Sequence, residues 1–231
     1  MPDVGHVVAS GGGGDKTTSQ LEPDVELCSL EYAVVDVETT GGGAGRGDRI
    51  TEIGIVVVDG TGEIRDTYSS LVNPGRPIPP FISRLTGITD ELVRGAPPFE
   101  AVAAEVVERV SGRVFVAHNV GFDWGFVDHE LMVARGEGLA GRRLCTVRLA
   151  RRVVPELSRR SLGYLSEFFG VENPARHRAL GDAHTTAVIF GRLLDRLEER
   201  EIRSWRGLEE FLGRGSRAAS KRKGEGSVTR G

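Results

Sequence analysis

Three runs with strand character, Tyr32–Val37, Ile50–Val58 and Ile64–Val72, follow one another across short glycine-rich or Asp-Gly turns. Parallel neighbours need a crossover of a dozen residues or more, so this order predicts an antiparallel meander. Helical periodicity then takes over. Pro97-Pro98 introduces Phe99–Val110, whose apolar positions 99, 102, 103, 106, 107 and 110 share one face, and Ser111-Gly112 ends it. Val114–Ala117 is wholly apolar, as a strand in a sheet centre should be. Phe122–Ala134 and Ser161–Phe169 read as helices, and Ala179–Leu197 as a long one with an apolar stripe at 180, 183, 187, 190, 193, 194 and 197. A meander followed by alternating helices and strands predicts an α/β chain with a mixed sheet and helices packed on it.

With 231 residues the chain suits one domain with tails. Residues 1–28, with four consecutive glycines from Gly11, hold too few large apolar groups to pack and read as a disordered lead-in. The ordered domain is expected over 29–212, and 213–231 reads as a basic tail. The net charge of −3 announces no nucleic-acid binder. Cys28 and Cys145 form no ligand spacing, so thiols in a reducing compartment are expected. No apolar run approaches the roughly 20 residues of a membrane span, and the N-terminus lacks signal-peptide character. The expected location is cytoplasmic, in contact with the nucleoid if the partner is DNA, with no membrane.

Four carboxylates and one histidine carry the chemistry. Asp36 and Glu38 are two apart on the first strand, so they share a face while Val35 and Val37 take the other. Two neighbouring carboxylates in so apolar a strand repel each other and are poorly solvated, a cost that a bound cation removes. Asp123 opens a helix after the apolar strand 114–117. By itself it reads as a helix-start aspartate. Asp182 borders the apolar stripe of the last helix, and His177 lies in the preceding loop. Hard oxygen donors plus one base are what divalent cations need to hydrolyse a phosphodiester.

The stretches Val35-Asp36-Val37-Glu38-Thr39-Thr40-Gly41, His118-Asn119-Val120-Gly121-Phe122-Asp123 and His177-Arg178-Ala179-Leu180-Gly181-Asp182 resemble, in order, the three motifs of the DEDDh 3′→5′ exonucleases. That family includes the proofreading epsilon subunit of bacterial DNA polymerase III. The segments 48–54, Leu85-Thr86-Gly87-Ile88-Thr89 and 144–151 match as well, so the resemblance covers roughly residues 31–200. It implies an RNase H-like fold with a five-stranded mixed sheet. Asp36, Glu38, Asp123 and Asp182 would hold two divalent ions, Mg²⁺ or Mn²⁺, and His177 would be the general base. Thr39, Thr40 and Phe122 would border the terminal nucleotide, and Leu85 either wedges between bases or is an ordinary core leucine. His118 and Asn119 would support the Asp123 turn. The implied partner is DNA with a 3′ end, and a DNA polymerase is a candidate protein partner.

Other readings compete. Gly41–Gly47 follows a strand, but no G-x-G-x-x-G register fits and the next element is a strand, which excludes a dinucleotide site. No G-K-[ST] follows a glycine loop, which excludes a P-loop. The glycines read as a flexible hairpin at the mouth of the site. RNA-trimming relatives share the five chemical positions, so a 3′→5′ exoribonuclease is the alternative, and an inactive nucleic-acid-binding module is a third. Gln20 is the sole glutamine, so no glutamine-led clamp-binding peptide is found, and a free-standing exonuclease stands beside the polymerase-bound one.

Overall fold

The computed structural model describes residues 24–213. Strands β1 (Tyr32–Thr39), β2 (Ile50–Val58) and β3 (Ile64–Leu71) form the expected antiparallel meander. Two short helices follow, α1 (Pro80–Thr86) and α2 (Asp90–Val93), then α3 (Phe99–Val110). Strand β4 (Val114–Ala117) pairs parallel to β1, and after α4 (Val120–Arg135) comes β5 (Arg143–Cys145), parallel to β4. Helices α5 (Thr146–Val153), α6 (Leu162–Phe169) and α7 (Ala179–Glu198) follow, and residues 205–213 are helical. The sheet order β3-β2-β1-β4-β5 makes a mixed five-stranded sheet, as expected.

The period of two along β1 sorts its side chains into two cores. Tyr32 and Val34 join α5, α6 and α7 on one face. Ala33, Val35 and Val37 join α3 and α4 on the other. Strand β3 carries charge outward at Arg65 and Asp66, which suits an exposed edge. Leu27 lies within the segment read as a lead-in, yet it is buried, and its N–H donates to the Arg203 carbonyl at 2.7 Å. Trp205 and Leu208 are buried against the same core, so residues near both ends of the described part pack together. The rest of the lead-in, 1–23, and the tail from 214 onward lie outside the described residues.

Among the described residues no helix is long and apolar enough to cross a membrane. Cys28 and Cys145 are free thiols.

Candidate active site

Strands β1, β4 and β5 run the same way, so their C-terminal ends meet at one end of the sheet. Asp36 and Glu38 stand there, half-buried, on the face that Tyr32 and Val34 fill further back. What brings the last helix to them is a missing side chain. Gly54 pairs with Asp36 across β1 and β2, and a Cβ at Gly54 would overlap the Ala179 carbonyl and the Leu180 nitrogen. The start of α7 therefore rests directly on the sheet, which sets Asp182, in its first turn, beside the strand carboxylates.

The ligand atoms of Glu38, His177 and Asp182 all lie within 4.8 Å of one another. Both Asp182 oxygens are held: Oδ1 accepts from the Asn173 amide at 2.6 Å, and Oδ2 from the His177 backbone N–H at 3.1 Å. His177 itself has φ 62°, left-handed backbone that a non-glycine residue adopts only where its surroundings impose it. Asp123 arrives from the first turn of α4 and accepts the Val37 N–H at 3.2 Å through Oδ1. That bond ties the second motif to the backbone between Asp36 and Glu38.

Burial holds the Asp36 carboxyl well above the usual carboxylate range, and the charges of Asp123, Asp182, Glu38 and Glu52 add to it. Burial pushes Glu38 up to about 7, helped by Asp182 and Glu52 and opposed by Arg178. Asp123 is also pushed up to about 7, by burial first and by Glu38, against hydrogen bonds from the Val37 N–H and its own N–H. Carboxylates that raise one another this way form an oxygen-donor set short of positive charge. That set fits hard divalent cations.

Two ion pairs that the strand patterns did not reveal hold the frame. Glu52, on β2 opposite Glu38, is buried and accepts from Arg178 at both oxygens, with Nη2 to Oε1 at 2.6 Å. Its Oε2 also accepts the Ala179 N–H at 2.9 Å, so it caps α7. Arg49 and buried Glu130 form a second bidentate pair, at 2.7 and 2.6 Å, and Glu130 accepts the Ile50 N–H. This pair fastens α4, and with it Asp123, to the start of β2. The one available signal was a charge standing within a run that alternates or is wholly apolar.

The other expected site residues are placed as follows. The Thr39 hydroxyl donates to the Gly41 carbonyl at 2.6 Å, and Thr40 Oγ1 accepts the Arg49 N–H at 3.0 Å. Both are engaged in the turn after β1. That turn contains a 3-10 turn at Ala44–Arg46, and Asp48 accepts the Gly43 N–H at 3.1 Å. Phe122 is half-buried against Phe126, with ring centroids 4.9 Å apart. Leu85 is 56% exposed on α1, which excludes the core reading. Because Leu71 at the end of β3 pairs with Glu52, the α1–α2 segment leaves from the site end of the sheet. His118 bonds to Thr146 through Nδ1 at 3.0 Å, bracing the β4 and β5 ends, and burial lowers its pKa. Asn119, at φ 80°, is the turn residue that starts α4.

Three comparisons extend this geometry to known proteins. The RNase_T family, described as Exonuclease, matches residues 33–190. The 3′-5′ exonuclease DinG of Bacillus subtilis (strain 168) is 42% identical over 168 residues, covering 73% of this chain but 18% of that protein. This chain thus spans less than a fifth of that relative's length. The DNA polymerase III subunit epsilon of Aquifex aeolicus (strain VF5) is 39% identical over 166 residues, 72% of this chain and 81% of that one. Among solved structures, Exonuclease X in complex with 5′ overhanging duplex DNA superposes with a TM-score of 0.56 at 30% identity, covering 72% of this chain and 91% of that one.

Proposed function

The chain belongs to the exonuclease family, and from that premise we propose that it is a metal-dependent 3′→5′ exonuclease acting on single-stranded or frayed DNA and releasing 5′-mononucleotides. The observation that carries this reading is the convergence of Glu38, His177 and Asp182 within 4.8 Å at the strand end that also holds Asp36 and Asp123. Exonucleases of this family use divalent metal ions. In our reading Asp36, Glu38, Asp123 and Asp182 hold two of them, Mg²⁺ or Mn²⁺. Bound there, such a pair would supply stabilisation of the charge that develops on the attacking and leaving oxygens of an in-line displacement.

The remaining work falls to the chain. His177, at the mouth of the cluster, accepts a proton from the attacking water through a ring nitrogen. It must be neutral to do so. Thr39, Thr40 and Phe122 border the terminal nucleotide, and exposed Leu85 is free to press on the last base step. A pocket of this kind reads no base edge. A paired end must first be unstacked at about a few kcal/mol, so a mismatched end is removed faster.

The similarity to DNA polymerase III epsilon and to a DNA-bound exonuclease supports DNA as the substrate, with proofreading or repair as its setting and a polymerase as candidate partner. The free thiols suit a cytoplasmic, nucleoid-associated location. The test compares single-stranded DNA, mismatched and matched duplexes, RNA and a 3′-blocked strand, with Mg²⁺, Mn²⁺ or EDTA. Expected are metal-dependent mononucleotides from free 3′ DNA ends. Internal cutting of the blocked strand, or faster digestion of RNA than of DNA, overturns the reading.

A further inference from the structure

Between residues 146 and 176 the chain carries six arginines against three glutamates, an excess of positive charge in a molecule of net charge −3. Elsewhere, Arg49, Arg65, Arg109, Arg113, Arg178 and Arg203 each pair with a carboxylate. Among the described residues, none of the six between 146 and 176 forms such a pair. Arg152 lies over the Phe211 ring, and Arg160 turns back onto the carbonyls of 154, 155 and 158. The other four, Arg148, Arg151, Arg159 and Arg176, are exposed.

The segments that carry these four lead away from the candidate site: α5 starts at Thr146, and Arg176 directly precedes His177. Thr146, two residues before Arg148, bonds to His118. His118 is in turn bonded to the backbone of Arg160 and feels the charge of Asp182. The Arg176 guanidinium reaches to 4.0 Å of where a Cβ on Gly163 would stand, so the start of α6 and the loop before His177 adjoin. On α6 Tyr164 presents a ring that is 39% exposed, with the Arg159 guanidinium 5.2 Å from its centroid. Phe168, one turn further along α6, is 39% exposed as well.

We propose that these residues, Arg148, Arg151, Arg159 and Arg176 with Tyr164, are a track for the phosphodiester backbone of single-stranded DNA upstream of the terminal nucleotide. The inference rests on the exonuclease reading for its position and on charge and ring exposure for its ligand. Arginines without a carboxylate partner repel one another until a polyanion lies across them, although Arg159 also donates to the Tyr164 hydroxyl. An exposed ring offers a stacking surface that unpaired bases can reach and a duplex cannot.

The test is anisotropy of a labelled twelve-nucleotide thymidine strand, in EDTA so that hydrolysis is silent, as salt is varied. Each phosphate contact on a single strand contributes about 0.7 to the slope of log affinity against log salt. The triple variant Arg148→Ala, Arg159→Ala, Arg176→Ala should therefore lower the slope by about 2 and weaken binding at least tenfold near 100 mM salt, while each single variant lowers it by about 0.7. The charge-matched control Arg135→Ala, Arg192→Ala, Arg196→Ala should match the wild type. Tyr164→Ala should weaken binding with the slope unchanged. In kinetics with Mn²⁺, the advantage in kcat/KM of the twelve-nucleotide strand over a dinucleotide should shrink at least tenfold in the triple variant. Binding indistinguishable from the control, or a loss seen with a uridine strand and not with thymidine, overturns the proposal. The two readings fail separately. A wild type without nuclease activity whose salt slope still depends on these arginines sinks the exonuclease reading alone. An active enzyme whose slope ignores them sinks the track alone.

Discussion

Replacing Glu38 with glutamine should stabilise the metal-free protein, and only above a definable pH. Burial and the charges of Asp182 and Glu52 push this carboxyl from its ordinary 4.5 up to about 7. A group whose pKa is raised by folding gives its full stability below the unfolded value and loses it as pH rises through the folded one. For Glu38 that loss falls between about pH 4.5 and pH 7. A tenfold change in proton affinity is worth about 1.4 kcal/mol, so the ceiling is about 3 kcal/mol. Part of the side chain meets solvent and part of the shift is shared with its neighbours, which reduces the expectation to about 1–2 kcal/mol. For a domain of this size that is roughly 2–8 °C in Tm. The assay is thermal melting in EDTA at pH 4.5 and pH 8. Glu38→Gln should match the wild type at the lower pH and melt higher at the upper one. Mn²⁺ should raise the wild-type Tm, because only the folded state assembles the donors, and should raise the variant's less. A variant less stable than the wild type at pH 8 in EDTA would refute the argument that uncompensated repulsion dominates this pocket.

Three further outcomes are expected. His177→Ala should lower kcat by roughly 10²–10⁴, the usual worth of a general base, with Mn²⁺ stabilisation retained; loss of metal stabilisation in a melting assay would make His177 a ligand instead. Gly54→Ala drives a methyl into the Ala179 carbonyl. It should cost about 1–3 kcal/mol in urea unfolding and more than tenfold in kcat, as expected when a core is overpacked beside a catalytic group; normal activity would show that α7 can retreat without consequence. Glu52→Gln keeps an acceptor for the Ala179 N–H but removes the charge that grips Arg178, so about 1–3 kcal/mol should be lost; unchanged Tm and kcat would make that pair incidental.

Elements with an apolar stripe or a wholly apolar run were legible. Phe99–Val110 and Val114–Ala117 are found over the residues their patterns predict, and α7 differs by one residue at its end. Two short elements, β5 and α5, were not, whereas α6 was read one residue long at its start. Strand β5 has three residues and exists by pairing with β4, and α5 presents Thr146, Leu149, Ala150 and Val153 inward among arginines that mask the stripe. The five chemical positions could be named from their motifs. Glu52 could not, because its importance comes from Glu38 across the ladder and Arg178, 126 positions away. Nor could the lead-in reading of Leu27 survive, since its partner Arg203 arrives from the far end of the chain.

Because Asp182 receives both the Asn173 amide and the His177 N–H, the loop before α7 is anchored by the protein's own groups. An enzyme that shortens a strand meets a new end after every bond it breaks. If the histidine loop had to be ordered by each arriving end, the entropic cost would recur at every cycle. On the proposed function that cost is met once, when the chain folds, and successive 3′ ends would encounter the proposed base already in place.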